Sequence, residues 1–167
     1  MYDGAVGSES ESKLVSTYTA TVVWTRPDGA PFKDNKYSRG HEWRFDGGTI
    51  VPASSSPKVV PLPLSNANAV DPEEALVASL SSCHMLFFLS YAATAGFVID
   101  RYEDQAIGEM GKNARGATAM VKARLRPRIT WAGTAPATAE LDKLHHRAHE
   151  SCYIANSVTT EVVIEAA

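Results

Sequence analysis

The chain has 167 residues, of which 44% are hydrophobic and 21% charged, and a formal net charge of -3. This is the composition of a single globular domain with a sizeable core. It argues against nucleic acid as a partner, because no block of lysine or arginine is dense enough to neutralise a run of phosphates. The two cysteines, Cys83 and Cys152, fit neither a disulfide-rich secreted scaffold nor a four-cysteine zinc module.

Residues 1–13 are small, polar and partly acidic. They lack the basic start and apolar core of a signal peptide and read as a flexible tail before one domain, 14–167, of a cytoplasmic protein. Val15 to Trp24, VSTYTATVVW, is rich in β-branched and aromatic residues and predicts a strand entering a hairpin at Pro27-Asp28-Gly29. Lys36 to Phe45 predicts a second strand kinked at Gly40, closed by Gly47-Gly48. Pro52 to Ala69 is Pro-, Ser- and Asn-rich without either period and predicts a long loop, a candidate pocket wall.

Asp71 to Gly96 is the central feature. Asp71 is a good N-cap, Pro72 suits the first helical position, and Glu74 completes a D-x-x-E capping box. Gly96 supplies a left-handed stop. Leu76, Leu80, Cys83, Phe87 and Tyr91 recur at steps of three and four, widened by Leu86, Phe88 and Leu89. The strongly apolar run from Met85 to Ile99 is short for a bilayer span and is interrupted by Ser90 and Thr94. The segment reads as a core helix.

Phe97 to Glu109 and Ala117 to Trp131 predict a long antiparallel pair around the loop 111–116, with Pro127 at an edge or bulge. Thr134 and Pro136 open a second helix, Ala135 to Ser151, with Leu141, Leu144 and Ala148 on one face. Val158 to Ile164 alternates as a closing strand. Strands, long helix, strands, helix and strand, without regular strand–helix alternation, make the fold class α+β.

A cysteine on an apolar helical stripe is ordinarily a small core residue, and Cys152 by itself reads the same way. Together they form the minimal set for a thiol peroxidase, in which one thiolate becomes a sulfenic acid and the other condenses with it to a disulfide. His145, His146 and His149 with Cys152 make H-H-x-x-H-x-x-C, whose i, i+4 histidines have zinc-site spacing. No general base occupies its place in that pattern, and histidines near a helix C-terminus are favoured by the dipole alone.

The run DPEEALVASLSSCHM resembles the signature of the OsmC/Ohr family, in which N-P-E-x-L precedes a peroxidatic cysteine at fixed spacing. The motif H-x-x-A-H-x-x-C-Y-I-A-N-S-V around Cys152 and Y-S-R-G-H around Arg39 resemble the family's second-cysteine and arginine segments. Asp71 stands where the family has asparagine. The resemblance covers Val15 to Ile164 and implies antiparallel sheets around a long central helix in an intertwined homodimer with sites at the subunit interface. It implies a hydroperoxide reductase that uses no metal or cofactor and is re-reduced by a dithiol such as a lipoylated protein. By position Cys83 is the peroxidatic thiol, Cys152 the resolving thiol, Glu73 the carboxylate and Arg39 the activating arginine, with Arg26 and Arg44 its neighbours in sequence.

A guanidinium contacts thiolate and carboxylate at once and lowers a cysteine pKa. Ten residues of straight helix, however, separate Glu73 from Cys83 by about 15 Å. A helix break near Ser81 or a site shared by two subunits is therefore expected. The expected substrate pocket is apolar, lined by Met85, Phe87, Phe88 and the 52–69 loop. The alternatives are a non-enzymatic, stress-associated member of the fold that binds a hydrophobic ligand, and a metal site at His145, His149 and Cys152.

Overall fold

The computed structural model describes residues 16–166, so the 1–13 tail lies outside the described residues. Eight strands and two helices follow in the order β1 Ala20–Val23, β2 His41–Phe45, β3 Ile50–Ala53, α1 Pro72–Thr94, β4 Ile99–Asp104, β5 Ile107–Lys112, β6 Thr118–Leu125, β7 Pro127–Trp131, α2 Thr138–Ser151 and β8 Glu161–Ile164. They form three small sheets, β1-β2-β3, β4-β7 and β5-β6-β8. Every pairing is antiparallel except that of β8 with β6. The fold is α+β with α1 at its centre.

α1 begins as its sequence dictates. Asp71 accepts a hydrogen bond from the Glu74 backbone N–H at 2.8 Å, and the Glu74 carboxylate accepts from the Asp71 N–H at 3.3 Å, which satisfies two otherwise orphaned donors. The helix ends with Gly96 at φ 85°. There Phe97 N–H reaches Ala92 O and Gly96 N–H reaches Ala93 O, both at 3.0 Å, the paired bonds of a Schellman stop. No break occurs at Ser81, because the helix runs unbroken from Pro72 to Thr94.

The buried row of α1 is Leu80, His84, Phe88 and Ala92; it keeps Leu80 and Phe88 of the expected stripe, but beyond Leu80 it is rotated one position from Cys83, Phe87 and Tyr91. The rotation follows from packing on α2. Phe88 and Ala92 close against Leu144 and Ala148, and Ile99, Tyr102, Ile129 and Trp131 from β4 and β7 cover the cluster. In length and composition α1 would also pass for a bilayer span, yet its buried row carries His84, hydrogen-bonded to His145.

Other boundaries moved for local reasons. The 97–109 and 117–131 runs pair as expected but split in two, β4 with β7 and β5 with β6. Pro127 begins β7 opposite Asp104, where its missing N–H costs no ladder bond. Gly108 lets β5 press on α1, since a Cβ there would lie 2.7 Å from Val77 and 2.6 Å from Met120. The second strand begins only at His41, and residues 24–40 form a long connection in place of a tight hairpin. β3 is an addition, with Pro52 at the sheet edge opposite Glu42. α2 begins at Thr138, after Pro136, and β8 at Glu161.

Burial of two imidazoles between α1 and α2 has a cost that depends on pH. His84 is held down at about 4 by burial and by the neighbouring His145 and His149. His145 is likewise at about 4 through burial, against the opposing pull of Asp142 and Asp104. Between their ordinary value of 6.5 and about 4, the unfolded chain binds more protons than the native one. Stability is therefore full above the ordinary value and falls as pH drops toward 4, by on the order of a few kcal/mol for the pair. Urea midpoints measured between pH 7 and 4 should fall accordingly, and a flat profile contradicts this account. Phe88→Ala should cost about 3–5 kcal/mol at pH 7 and Asp71→Ala about 1 kcal/mol, read from the same unfolding curves.

Candidate functional site

Cys83 sits on the shoulder of α1, half-buried, while Cys152 caps the end of α2 and is 1% exposed; both are free thiols. The two are neighbours, close enough that the Cys83 thiol acts on the ionisation of Cys152. The backbone brings Cys152 there. α2 ends as Cys152 leaves helical geometry, and a short 3-10 turn, Ala155–Ser157, folds the chain back. The Ala155 N–H then points at Cys152 Sγ from 3.4 Å.

Their environments differ. Burial pushes the Cys152 thiol up to about 11; the Ala155 N–H opposes this, and the adjacent Cys83 adds to it. Cys152 is thus a protonated thiol at neutral pH and so a poor nucleophile. Cys83 opens instead onto a concavity of about 570 Å3 whose apolar walls include Leu86, Phe87, Tyr153 and Ile154. Phe87 and Tyr153 meet edge to face at 5.1 Å between centroids, which joins α1 to the turn after Cys152.

That pocket differs from the expected one. Phe87 lines it, but Phe88 is fully buried against His145 at 4.3 Å between ring centroids. Met85 faces a separate cavity beside Tyr102 and Asp104. Residues of the 52–69 loop line a different hollow with β2 and Thr25. The one-position rotation of α1 accounts for the first two differences. Leu86 and Tyr153 carried a signal of their own, as large apolar residues flanking the cysteines.

The remaining candidates lie apart. Arg39 is held by its own loop. Its guanidinium lies 3.7 Å from the Tyr37 ring centroid, donates to the Tyr37 carbonyl, and donates to Asn35 O and Oδ1 at 3.1 and 2.9 Å. Asn35 takes a left-handed φ of 60° to permit this. Glu73 is half-buried in the first turn of α1, ten residues of unbroken helix from Cys83, or about 15 Å. Among the described residues no hydrogen bond or ion pair joins Arg39, Glu73 and Cys83 within one chain. Arg26 donates to Ala30 O, and Arg44 pairs with Glu42. The histidines also separate, since His145 turns inward to His84 while His146 pairs with Glu150 at the surface. Among the described residues no group of three His, Cys, Asp or Glu side chains is arranged to hold a metal.

A family profile described as OsmC-like protein matches residues 65–167, the stretch that contains α1 and both cysteines. No curated protein matches the chain. Among solved structures, an OsmC-like protein of unknown function from Vibrio cholerae is 53% identical, with a TM-score of 0.89 over 92% of this chain and 100% of its own. An organic hydroperoxide resistance protein from Elizabethkingia anophelis, solved with crystallant-derived thiocyanate bound, is 16% identical, with a TM-score of 0.66 over 92% and 96%. The organic hydroperoxide resistance protein OhrB of Bacillus subtilis is 18% identical, with a TM-score of 0.58 over 90% and 98%. At those two identities the likeness is one of fold. Profile and fold agree: the chain belongs to the OsmC-like protein family.

Proposed function

We propose that this protein is a thiol peroxidase that reduces organic hydroperoxides to alcohols, with Cys83 as attacking thiol and Cys152 as resolving thiol. The supporting observation is the unequal thiol pair: Cys83 faces an apolar concavity, and Cys152 lies beside it, buried and protonated. In the first step the Cys83 thiolate attacks the outer peroxide oxygen. The O–O bond breaks, the alkoxide takes a proton and leaves as alcohol, and Cys83 becomes a sulfenic acid. Cys152 then gives up its proton and attacks the Cys83 sulfur, forming the disulfide and releasing water. An external dithiol, such as a dihydrolipoyl group, restores both thiols by exchange. A reducing, cytoplasmic setting suits such a resting state.

A second copy of the chain is part of this proposal. The unbroken α1 keeps Glu73 and Cys83 apart, and apolar side chains of its outer face and of the first sheet stay in water, among them Leu86 at 62% and Val22 at 65% exposure. A dimer that covers these surfaces would allow Arg39 of one copy to reach Cys83 of the other. There a permanent cation would favour the thiolate. Sedimentation at micromolar concentration should give twice the mass of 18.0 kDa, and a monomer at all concentrations contradicts this part.

Hydroperoxide consumption with dihydrolipoamide as reductant tests the chemistry. Cys83→Ser should lose about three orders of magnitude in rate or more, as removal of an essential nucleophile does. Cys152→Ser should complete one turnover and retain a sulfenic acid detectable by intact mass. Equal rates for wild type and Cys83→Ser sink the proposal. The same apolar concavity would equally suit a protein that holds a hydrophobic ligand and does no redox chemistry. Failure of both thiols to oxidise under a small excess of hydroperoxide selects that second reading.

A further inference from the structure

Among the described residues, two side-chain hydrogen bonds bridge α1 and α2. Tyr91 Oη and Ser151 Oγ lie 2.7 Å apart. His84 Nε2 and His145 Nδ1 lie 3.1 Å apart, with the rings 7° from parallel and 5.4 Å between centroids. The histidine pair is the interior one, with His84 1% and His145 5% exposed. Each ring uses one nitrogen, and His84 Nδ1 and His145 Nε2 are buried without a partner.

Stability does not explain the pair. An unsatisfied buried polar atom destabilises the fold, and two apolar side chains of similar size would avoid that. A directional bond adds what apolar packing lacks: it fixes both the rotation of α1 about its axis and its slide along α2. Its position matters for the thiols, because His84 directly follows Cys83 and His145 lies seven residues, about two turns, before Cys152. The rotation that buries His84 is the one that turns Cys83 toward Cys152.

We propose that the His84–His145 pair is a positioning element that holds Cys83 in disulfide-forming register with Cys152, and that its protonation releases this register. The inference rests on the reading of Cys83 and Cys152 as a redox pair. In the neutral pair one ring donates its N–H and the other accepts. Whichever tautomer holds, one outer nitrogen keeps a free lone pair and the other an unused N–H. A first proton goes to that lone pair and places a charge beside Phe88. A second leaves two N–H groups facing each other, and the bond is lost. Burial, then His145 and His149 on α2, all oppose charge on His84, while Asp142 on α2 and Asp104 on β4 favour charge on His145, where burial outweighs the two carboxylates.

The test is closure of the Cys83–Cys152 disulfide in the reduced full-length chain after addition of diamide, which takes up the two thiol protons and electrons as it becomes the hydrazine. Samples are quenched by alkylation and read by intact mass between pH 7 and 4, with circular dichroism at each pH. Three proteins are compared: wild type, His145→Leu, and the double variant His84→Gln with His145→Gln, whose amides can bond to each other but do not titrate. His145→Leu should close more slowly at every pH. The ratio of wild-type to double-variant rate should fall by about a quarter from pH 7 to pH 4, where each ring is near half-protonated and about one pair in four carries both protons. The ratio cancels the thiolate dependence that both proteins share.

Identical pH profiles for wild type and double variant overturn the proposal. So does undiminished closure in His145→Leu, or unfolding of the wild type before closure slows, which would make the pair merely structural. If His145→Leu fails to fold, the ratio alone decides. Closure by diamide as described, together with no consumption of hydroperoxide, leaves this inference standing and removes the peroxidase reading. No closure in the wild type by any oxidant removes both.

Discussion

The crossing of α1 on α2 is the constraint on which the rest of the molecule depends. Ala92 and Ala148 are small enough to let the helices close, and Phe88 fills the space beside Leu144. Burying Phe88 fixes which side of α1 faces inward, because residues one position apart on a helix differ by about 100° in direction. With Phe88, Leu80 and His84 inside, Cys83 and Phe87 must lie on the shoulder. The placement of the candidate nucleophile, half-buried beside an apolar concavity, is therefore a consequence of core packing by Leu80, His84 and Phe88.

The same crossing makes the two cysteines chemically unequal. Cys152 terminates α2 under the returning 3-10 turn, where desolvation keeps its proton on. Cys83 keeps contact with the concavity. A pair so divided suits sequential chemistry, in which one sulfur reacts with an incoming molecule and the other answers only once its neighbour has become electrophilic. It does so without a helix N-terminus at Cys83, since α1 runs unbroken past it. Under the proposed chemistry, stabilisation of a thiolate there would fall to a cation from elsewhere, and within one chain Arg39 is engaged by Tyr37 and Asn35. The V. cholerae relative, 53% identical, is itself described only as being of unknown function.

The first sheet has a different standing from the remainder. β1, β2 and β3 carry little buried surface, with Ala53 their one fully buried residue. A three-stranded sheet with an uncovered apolar face is marginal in water. Its stability and the environment of Arg39 are thus coupled to whatever covers that face.

The sequence by itself determined the features that depend on a few adjacent residues. Asp71, Pro72, Glu74 and Gly96 set the ends of α1 because capping and left-handed geometry are local. Pro127 reads as an edge or bulge position because it cannot donate to a ladder, and pairing between strands makes it the first residue of β7. The two cysteine motifs carried the resemblance to the family through the residues they contain as well as their spacing. Sequence missed β3, since the composition of 52–69 resembles a loop and only pairing with β2 makes Ile50–Ala53 a strand. It also misjudged the pocket, listing Met85 and Phe88 as walls. On a helix apolar nearly all round, periodicity does not say which face is buried. That choice belongs to α2 and to the β4-β7 sheet, and it set Cys83 beside Cys152 and His84 against His145, because only contact between elements distant in sequence can select one face of an apolar helix over another.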